Sequence, residues 1–271
     1  MNDLSDRQLE AHLKDSLSAK LFCGFGLFDQ TPDHSYFTKL RDRIGASKLA
    51  KMFARINKSL KEAGLIREVF TFMDASAIKS QVDVWRARDK AIADQENSEK
   101  DEDGNPTMNN KNIAKYSSDP EARYGAKGKN KIWCGYKRHT SVDMTNGLIN
   151  KVAVTPANVP DSKGAKYTCP NGGMVFADKA YSEAPAQEAL KARGCHSAAI
   201  KKNNMRGKNR DKDKWISSVR MPFEGVFSQQ SKTARYRGVV KTQFQALFQA
   251  LAFNLKRLVK IEAPPIQLRA I

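Results

Sequence analysis

No Cys-x-x-Cys pair occurs in this chain of 271 residues. Cys23, Cys134, Cys169 and Cys195 stand far apart, and His12, His34, His139 and His196 complete no zinc spacing. A structural zinc site is not expected, and the cysteines read as scattered reduced thiols. No apolar stretch approaches the roughly 18 residues that span a bilayer. The opening Met-Asn-Asp-Leu-Ser-Asp-Arg has no signal-peptide character. A cytoplasmic protein with no membrane partner is therefore expected. Gly-x4-Gly-Lys-Ser/Thr is also missing, so a P-loop ATPase is not indicated. Acids are few beside bases, 29 Asp and Glu against 47 Lys and Arg, for a net charge of +18. That excess suits a polyanion, most often nucleic acid, although a generally basic soluble protein shows it too. The hydrophobic content of 40% can supply a core and excludes wholesale disorder.

The pattern predicts two domains and a tail. Residues 1–66 read as a small all-helical domain. Ser5-Asp6-Arg7-Gln8 fits a capping box ahead of Leu9, Leu13 and Leu17. Thr31-Pro32-Asp33 precedes a second helix, and Leu49, Met52, Phe53, Ile56 and Leu60 mark a third, stopped by Gly64. Such a unit serves DNA binding, packing or dimerisation equally well. Residues 67–262 read as an α/β domain with a polar insertion around 94–130, and 263–271 as a C-terminal tail. A hairpin is expected around Asn146-Gly147. A helix should run from about Ser182 to Arg193, followed by a strand over Cys195–Ile200. The last helix carries Val240, Phe244, Leu247, Phe248, Leu251, Leu255, Leu258 and Val259, a stripe read as core.

Three acids stand in contexts that suit chemistry. Asp178 closes the apolar run Met174–Ala177, as the last residue of a buried strand would. Asp74 closes Val69–Met73 in the same way. Open α/β sheets hold ligands outside the carboxyl ends of their strands. Glu224 lies in Val219–Phe227, at the margin of the face formed by Val219, Phe223, Val226 and Phe227, with Pro222 expected in the first helical turn. Acids gathered without a cation repel one another. Divalent ions bound between them can activate an attacking oxygen and stabilise a leaving one in phosphodiester displacement.

The motifs Phe72-Met73-Asp74-Ala75-Ser76, Val175-Phe176-Ala177-Asp178-Lys179-Ala180-Tyr181 and Arg220-Met221-Pro222-Phe223-Glu224-Gly225-Val226-Phe227 resemble the three acidic motifs of bacterial insertion-sequence DDE transposases, closest to the IS-five type. Asp119-Pro120-Glu121-Ala122-Arg123-Tyr124 and Gly135–Asp143 support the likeness, which covers almost the whole chain. It implies a ribonuclease-H-like mixed sheet flanked by helices, preceded by the helical domain. It further implies DNA cleavage and strand transfer with Asp74, Asp178 and Glu224 as catalytic residues holding two Mg2+ ions, for which Mn2+ can substitute. The implied partners are double-stranded DNA, as terminal inverted repeats and target, and further copies of the chain in a homo-oligomer. No nucleotide cofactor is implied, and the bacterial cytoplasm at the nucleoid is the implied location. Relatives carry Tyr-x2-Arg-x3-Glu-x6-Lys around the Glu. Arg220 and Glu224 fit as phosphate clamp and ligand, but Ser217 stands at the Tyr position and Lys232 falls one position late. Relatives usually start earlier, so a portion that binds DNA ends is expected outside this sequence. The alternative reading is a catalytically inactive or truncated DNA-binding relative.

Smaller signals complete the candidate DNA surface. The basic run Lys201–Lys214, including Lys201, Lys202, Arg206 and Lys208, suits a phosphate backbone. Trp215 beside it is the better base-stacking candidate, with Trp85 another, whereas Trp133 is expected in the core. His139 and Asp143 read as structural.

Overall fold

The computed structural model describes residues 4–82, 117–128 and 131–262, together with 86, 89, 90 and 93. Trp85, most of the polar insertion and the tail 263–271 lie outside the described residues. Two compact units divide within a helix, residues 1–49 and 50–271. The first holds α1 (Asp6–Asp15), α2 (Leu17–Phe22) and the start of α3 (His34–Glu62). The capping box at α1 forms as expected: Ser5 Oγ accepts the Gln8 N–H, and Gln8 Oε1 accepts the Ser5 N–H at 2.9 Å. Asp6 is paired with Arg41, and Glu10 takes both Lys14 and His34. The expected second and third helices run into one another in α3, which kinks at Gly45, where φ is +62°. Beyond the kink, Leu60 packs with Ile66 and Leu148, and Asn57 Nδ2 donates to the carbonyls of Ile149 and Asn150. This half of α3 therefore packs with the sheet.

The second unit has the ribonuclease-H-like arrangement. β1 (Phe70–Lys79), β3 (Lys131–Asp143) and β4 (Leu148–Pro156) form an antiparallel meander, with β2 (Arg123–Lys127) paired to the start of β3. Then α4 (Asp161–Thr168) leads to β5 (Met174–Ala177), parallel to β1 on its other side. A short 3-10 turn (Lys179–Ser182) and α5 (Ala184–Ala192) lead to β6 (His196–Ala199), parallel to β5. α6 (Arg210–Ser228) and α7 (Val239–Glu262) complete the unit. The hairpin at Asn146-Gly147 forms where expected, with Gly147 at φ +68°. Asp143 is structural: its carboxylate accepts the backbone N–H groups of Arg67, Glu68 and Thr145 at 3.0–3.1 Å and so fixes the entry to β1. Among the described residues no helix is long and apolar enough to cross a membrane.

Three local expectations are corrected. β1 does not end at Asp74 but runs on to Lys79, because Ala75–Lys79 stay paired with Gly135–His139. Pro222 is not in the first turn of α6, which begins twelve residues earlier at Arg210, capped by Asn209 and carrying Asp211 and Asp213 in its first turn. The proline is tolerated where the helix faces solvent: Ser218, whose carbonyl loses its bond to residue 222, is exposed.

The α7 stripe is only partly core. Val240, Phe248, Leu255 and Val259 are exposed, while Thr242, Ala246, Ala250 and Asn254 are buried. Small and polar residues let α7 approach the outer edge of β4. There Gln243 Oε1 accepts the Val154 N–H, while Asn254 accepts the Ile149 N–H and donates to the Ile149 carbonyl.

Candidate active site

Register brings the two aspartates together. β1 and β5 pair in parallel with Met73 opposite Ala177, so Asp74 and Asp178 follow at the same level on adjacent chains. Neighbouring strands lie roughly 4.8 Å apart. β5 stops at Ala177, leaving β1 beyond Met73 without that partner, and both acids stand at the resulting crevice. Asp178 remains extended and its carboxylate accepts the Ala180 N–H at 2.9 Å, capping the 3-10 turn. Asp74 Oδ1 accepts the Ala75 N–H at 2.8 Å.

Burial pushes the Asp74 carboxyl up to about 6, and the negative charge of Asp178 adds to this; Lys127 and Arg220 act in the opposite sense. Lys127, the last residue of β2, is a neighbour that no sequence pattern singled out. Tyr181 is another. Its hydroxyl is buried with no hydrogen-bond partner among the described residues, and burial together with Asp74, Asp161 and Asp178 holds it well above the ordinary phenol range.

Glu224 comes from α6. Residues 220, 224 and 227 share one helix face. The Arg220 guanidinium lies 4.9 Å from the centre of the Phe72 ring, and the Phe227 ring meets Phe72 edge-on at 5.3 Å. Phe72 and Asp74 point to the same face of β1. Glu224 thus stands on the α6 face that covers β1, with its side chain exposed. Arg220 is buried and its Nε has no hydrogen-bond partner among the described residues.

The acid pair fits a hard divalent cation, since Mg2+ is commonly held by one or two carboxylates with substrate phosphate and water completing its shell. The full triple is not gathered: among the described residues, no three Asp, Glu, His or Cys side chains are close enough to hold one ion together.

The other candidates are spread around this centre. Lys208 pairs with Asn203 and Asp213 and Lys201 Nζ donates to the Arg206 carbonyl, so these two lysines brace their own loop, while Lys202 pairs with Glu183 and ties the loop to the start of α5; Arg206 is exposed. Trp215 is half exposed, its ring 5.9 Å from that of Phe176. Lys232 is exposed, and its carbonyl accepts the Lys79 N–H at 2.8 Å, which fastens the α6–α7 loop to the end of β1. Trp133 is in the core and donates to the Tyr136 carbonyl.

His139 is fully buried, with Nε2 2.9 Å from Thr155 Oγ1 and Gly164 of α4 so close that a Cβ there would meet the ring at 2.2 Å. Burial pushes its imidazole down to about 4. The neutral ring therefore contributes stability that is complete above roughly pH 6.5 and is lost as pH falls towards 4. In urea unfolding, wild type should lose about 1–3 kcal/mol more than His139→Gln across that window; parallel curves would refute this.

Comparison with known proteins agrees with this architecture. Residues 85–255 match the family described as Transposase DDE domain, and residues 1–43 match Transposase domain (DUF772). Asp178 and Glu224 fall inside the first match, and Asp74 precedes it. The chain is 28% identical over 246 residues to a protein of Neisseria meningitidis serogroup B named "Transposase for insertion sequence element IS1106", covering 84% of this chain and 80% of that one. With the greater part of its length matched, a ribonuclease-H-like sheet and two aspartates side by side at its crevice, the chain belongs to the family of DDE-domain transposases.

Proposed function

We propose that the protein cuts DNA at the ends of an insertion sequence and joins the freed ends to target DNA. Asp74, Asp178 and Glu224 are the catalytic acids. The observation that carries this reading is the parallel register that sets Asp74 level with Asp178 at the end of β5. The pair would hold Mg2+, or Mn2+ in its place, and Glu224 would join from α6 to complete a site for two ions. Such ions, when bound, supply activation of the attacking oxygen and charge stabilisation at the leaving one. Arg220 offers its Nε, without a hydrogen-bond partner among the described residues, to a phosphate oxygen and steadies the charge that builds there. Lys232 contacts the strand end, and Lys201, Lys202, Arg206 and Lys208 follow the backbone, with Trp215 stacking on a base. The helical residues 1–66 contribute DNA binding or dimerisation. Terminal inverted repeats are the specific substrate, and two such ends call for a homo-oligomer.

The test is nicking of duplex DNA carrying the element's own ends, with Mg2+ or Mn2+ against EDTA. Metal-dependent nicks are the expected result. Binding without nicking by a folded protein would instead favour an inactive DNA-binding relative. Neutralising Lys201, Lys202, Arg206 and Lys208 together should also lower the slope of log affinity against log salt by roughly 2–4. An unchanged slope would remove this loop from the DNA surface.

A further inference from the structure

Buried hydroxyl groups in folded proteins are hydrogen-bonded in the large majority of cases, so one without a partner points to something that it serves. Tyr181 carries such a hydroxyl: the residue is 1% exposed, and its oxygen has no hydrogen-bond partner among the described residues. The backbone leaves the side chain little freedom. The Tyr181 N–H donates to the Asp178 carbonyl at 3.2 Å, and its own carbonyl accepts from Gln187 Nε2 at 2.7 Å. The ring packs in one cluster with Met73 and Ala177, the register partners that immediately precede the two aspartates. Three acids act on the hydroxyl, Asp74 most strongly, then Asp161 and Asp178; burial and these charges keep it protonated, a donor facing acids.

These acids differ in their need for a donor. Asp161 is ion-paired with Lys137 at 2.8 Å, and Asp178 already caps the 3-10 turn through the Ala180 N–H. Asp74 takes only the Ala75 N–H among the described residues, although burial works against its charge. A second donor therefore does most for Asp74. We propose that Tyr181 is a positioning residue whose hydroxyl donates to the Asp74 carboxylate through one intervening water, fixing it in the ionised form and orientation that bind a divalent ion. The proposal rests on the reading of Asp74 and Asp178 as a metal-binding pair. Donors one shell out from a metal hold its ligands in place, and losing one typically lowers metal affinity by about 10–100-fold.

The test follows the urea midpoint of the full chain as MgCl2 rises, with ionic strength held constant by NaCl. Bound Mg2+ stabilises the folded state with the logarithm of its concentration over Kd, so a weaker site moves the curve to higher Mg2+. Tyr181→Phe keeps the ring and deletes the donor. In EDTA its midpoint should stay close to that of wild type, while its Mg2+ curve moves up by about tenfold or more. The Mg2+ concentration that gives half-maximal nicking should rise by the same factor. Leu190→Val loosens the same cluster from α5 and removes no hydroxyl; it should lower the midpoint in EDTA yet leave the Mg2+ curve in place. A Tyr181→Phe curve that coincides with wild type would overturn the proposal. So would an equal shift in Leu190→Val, which would assign the effect to packing. If Mg2+ adds no stability to wild type, the metal-binding reading of the acid pair falls as well.

Discussion

Asp178→Asn is expected to lower metal-dependent nicking by roughly a thousandfold while DNA affinity stays within about threefold. An amide keeps the shape of the side chain and its bond to the Ala180 N–H but gives up half of the charge of the acid pair. Losing several kcal/mol of charge stabilisation corresponds to that factor. Asp74→Asn should be as inactive and yet differ in stability. Burial raises the Asp74 carboxyl to about 6, so its protonated form contributes stability that is complete below roughly pH 4 and lost as pH rises through 6. Above pH 6 the charge is a cost, which the amide removes. In EDTA at pH 7.5, Asp74→Asn should therefore be more stable than wild type by about 1–3 kcal/mol, the difference vanishing near pH 4. Excess Mg2+ should stabilise wild type and leave Asp74→Asn unmoved. If the variant proves less stable at pH 7.5, or Mg2+ stabilises both alike, Asp74 is not a buried metal ligand.

Phe72→Ala carries the second large effect. The ring is fully buried, with Phe227 edge-on at 5.3 Å and the Arg220 guanidinium over it at 4.9 Å. Its loss should cost about 3–5 kcal/mol in urea unfolding, as for other buried Phe→Ala changes, and leave α6 loosely held. Phe72→Leu separates packing from positioning. It should fold with a smaller loss, yet nick at least tenfold more slowly, because the surface on which Arg220 rests is gone. Full activity in Phe72→Leu would show that the ring has no part in placing Arg220.

The fold was legible wherever local pattern decides it. The capping box at Ser5, the Asn146-Gly147 hairpin and the apolar run before Asp178 are short-range signals, and each forms as expected. Where long-range pairing decides, the pattern was silent or misleading. Asp74 looked like the end of a strand because the apolar run stops there, but continued pairing with β3 carries the strand on. What ends at that level is the neighbour, β5. The closeness of Asp74 to Asp178 is a matter of register, which no residue pattern states. Lys127 escaped for a related reason, and Tyr181, although inside the second motif, showed no role, because the closeness of both to Asp74 comes from neighbours distant in sequence. On α7 the largest apolar residues suggested the buried face, and Phe244 and Leu247 do lie in it, but close approach to a strand edge adds alanines, Thr242 and Asn254 and leaves Val240, Phe248, Leu255 and Val259 exposed.

That contact between α7 and β4 has a consequence for how the chain comes to be folded. An outer strand whose N–H and C=O groups are free is a template for pairing with another chain. Here the edge is quenched by side-chain amides, Gln243 on Val154 and Asn254 on Ile149, from residues 89 and 105 positions further along. As the polypeptide emerges during synthesis, β4 must wait for α7 with its edge open. In that interval Leu148–Pro156, with the β-branched residues Ile149, Val152 and Val154, is open to misassembly with a second nascent copy.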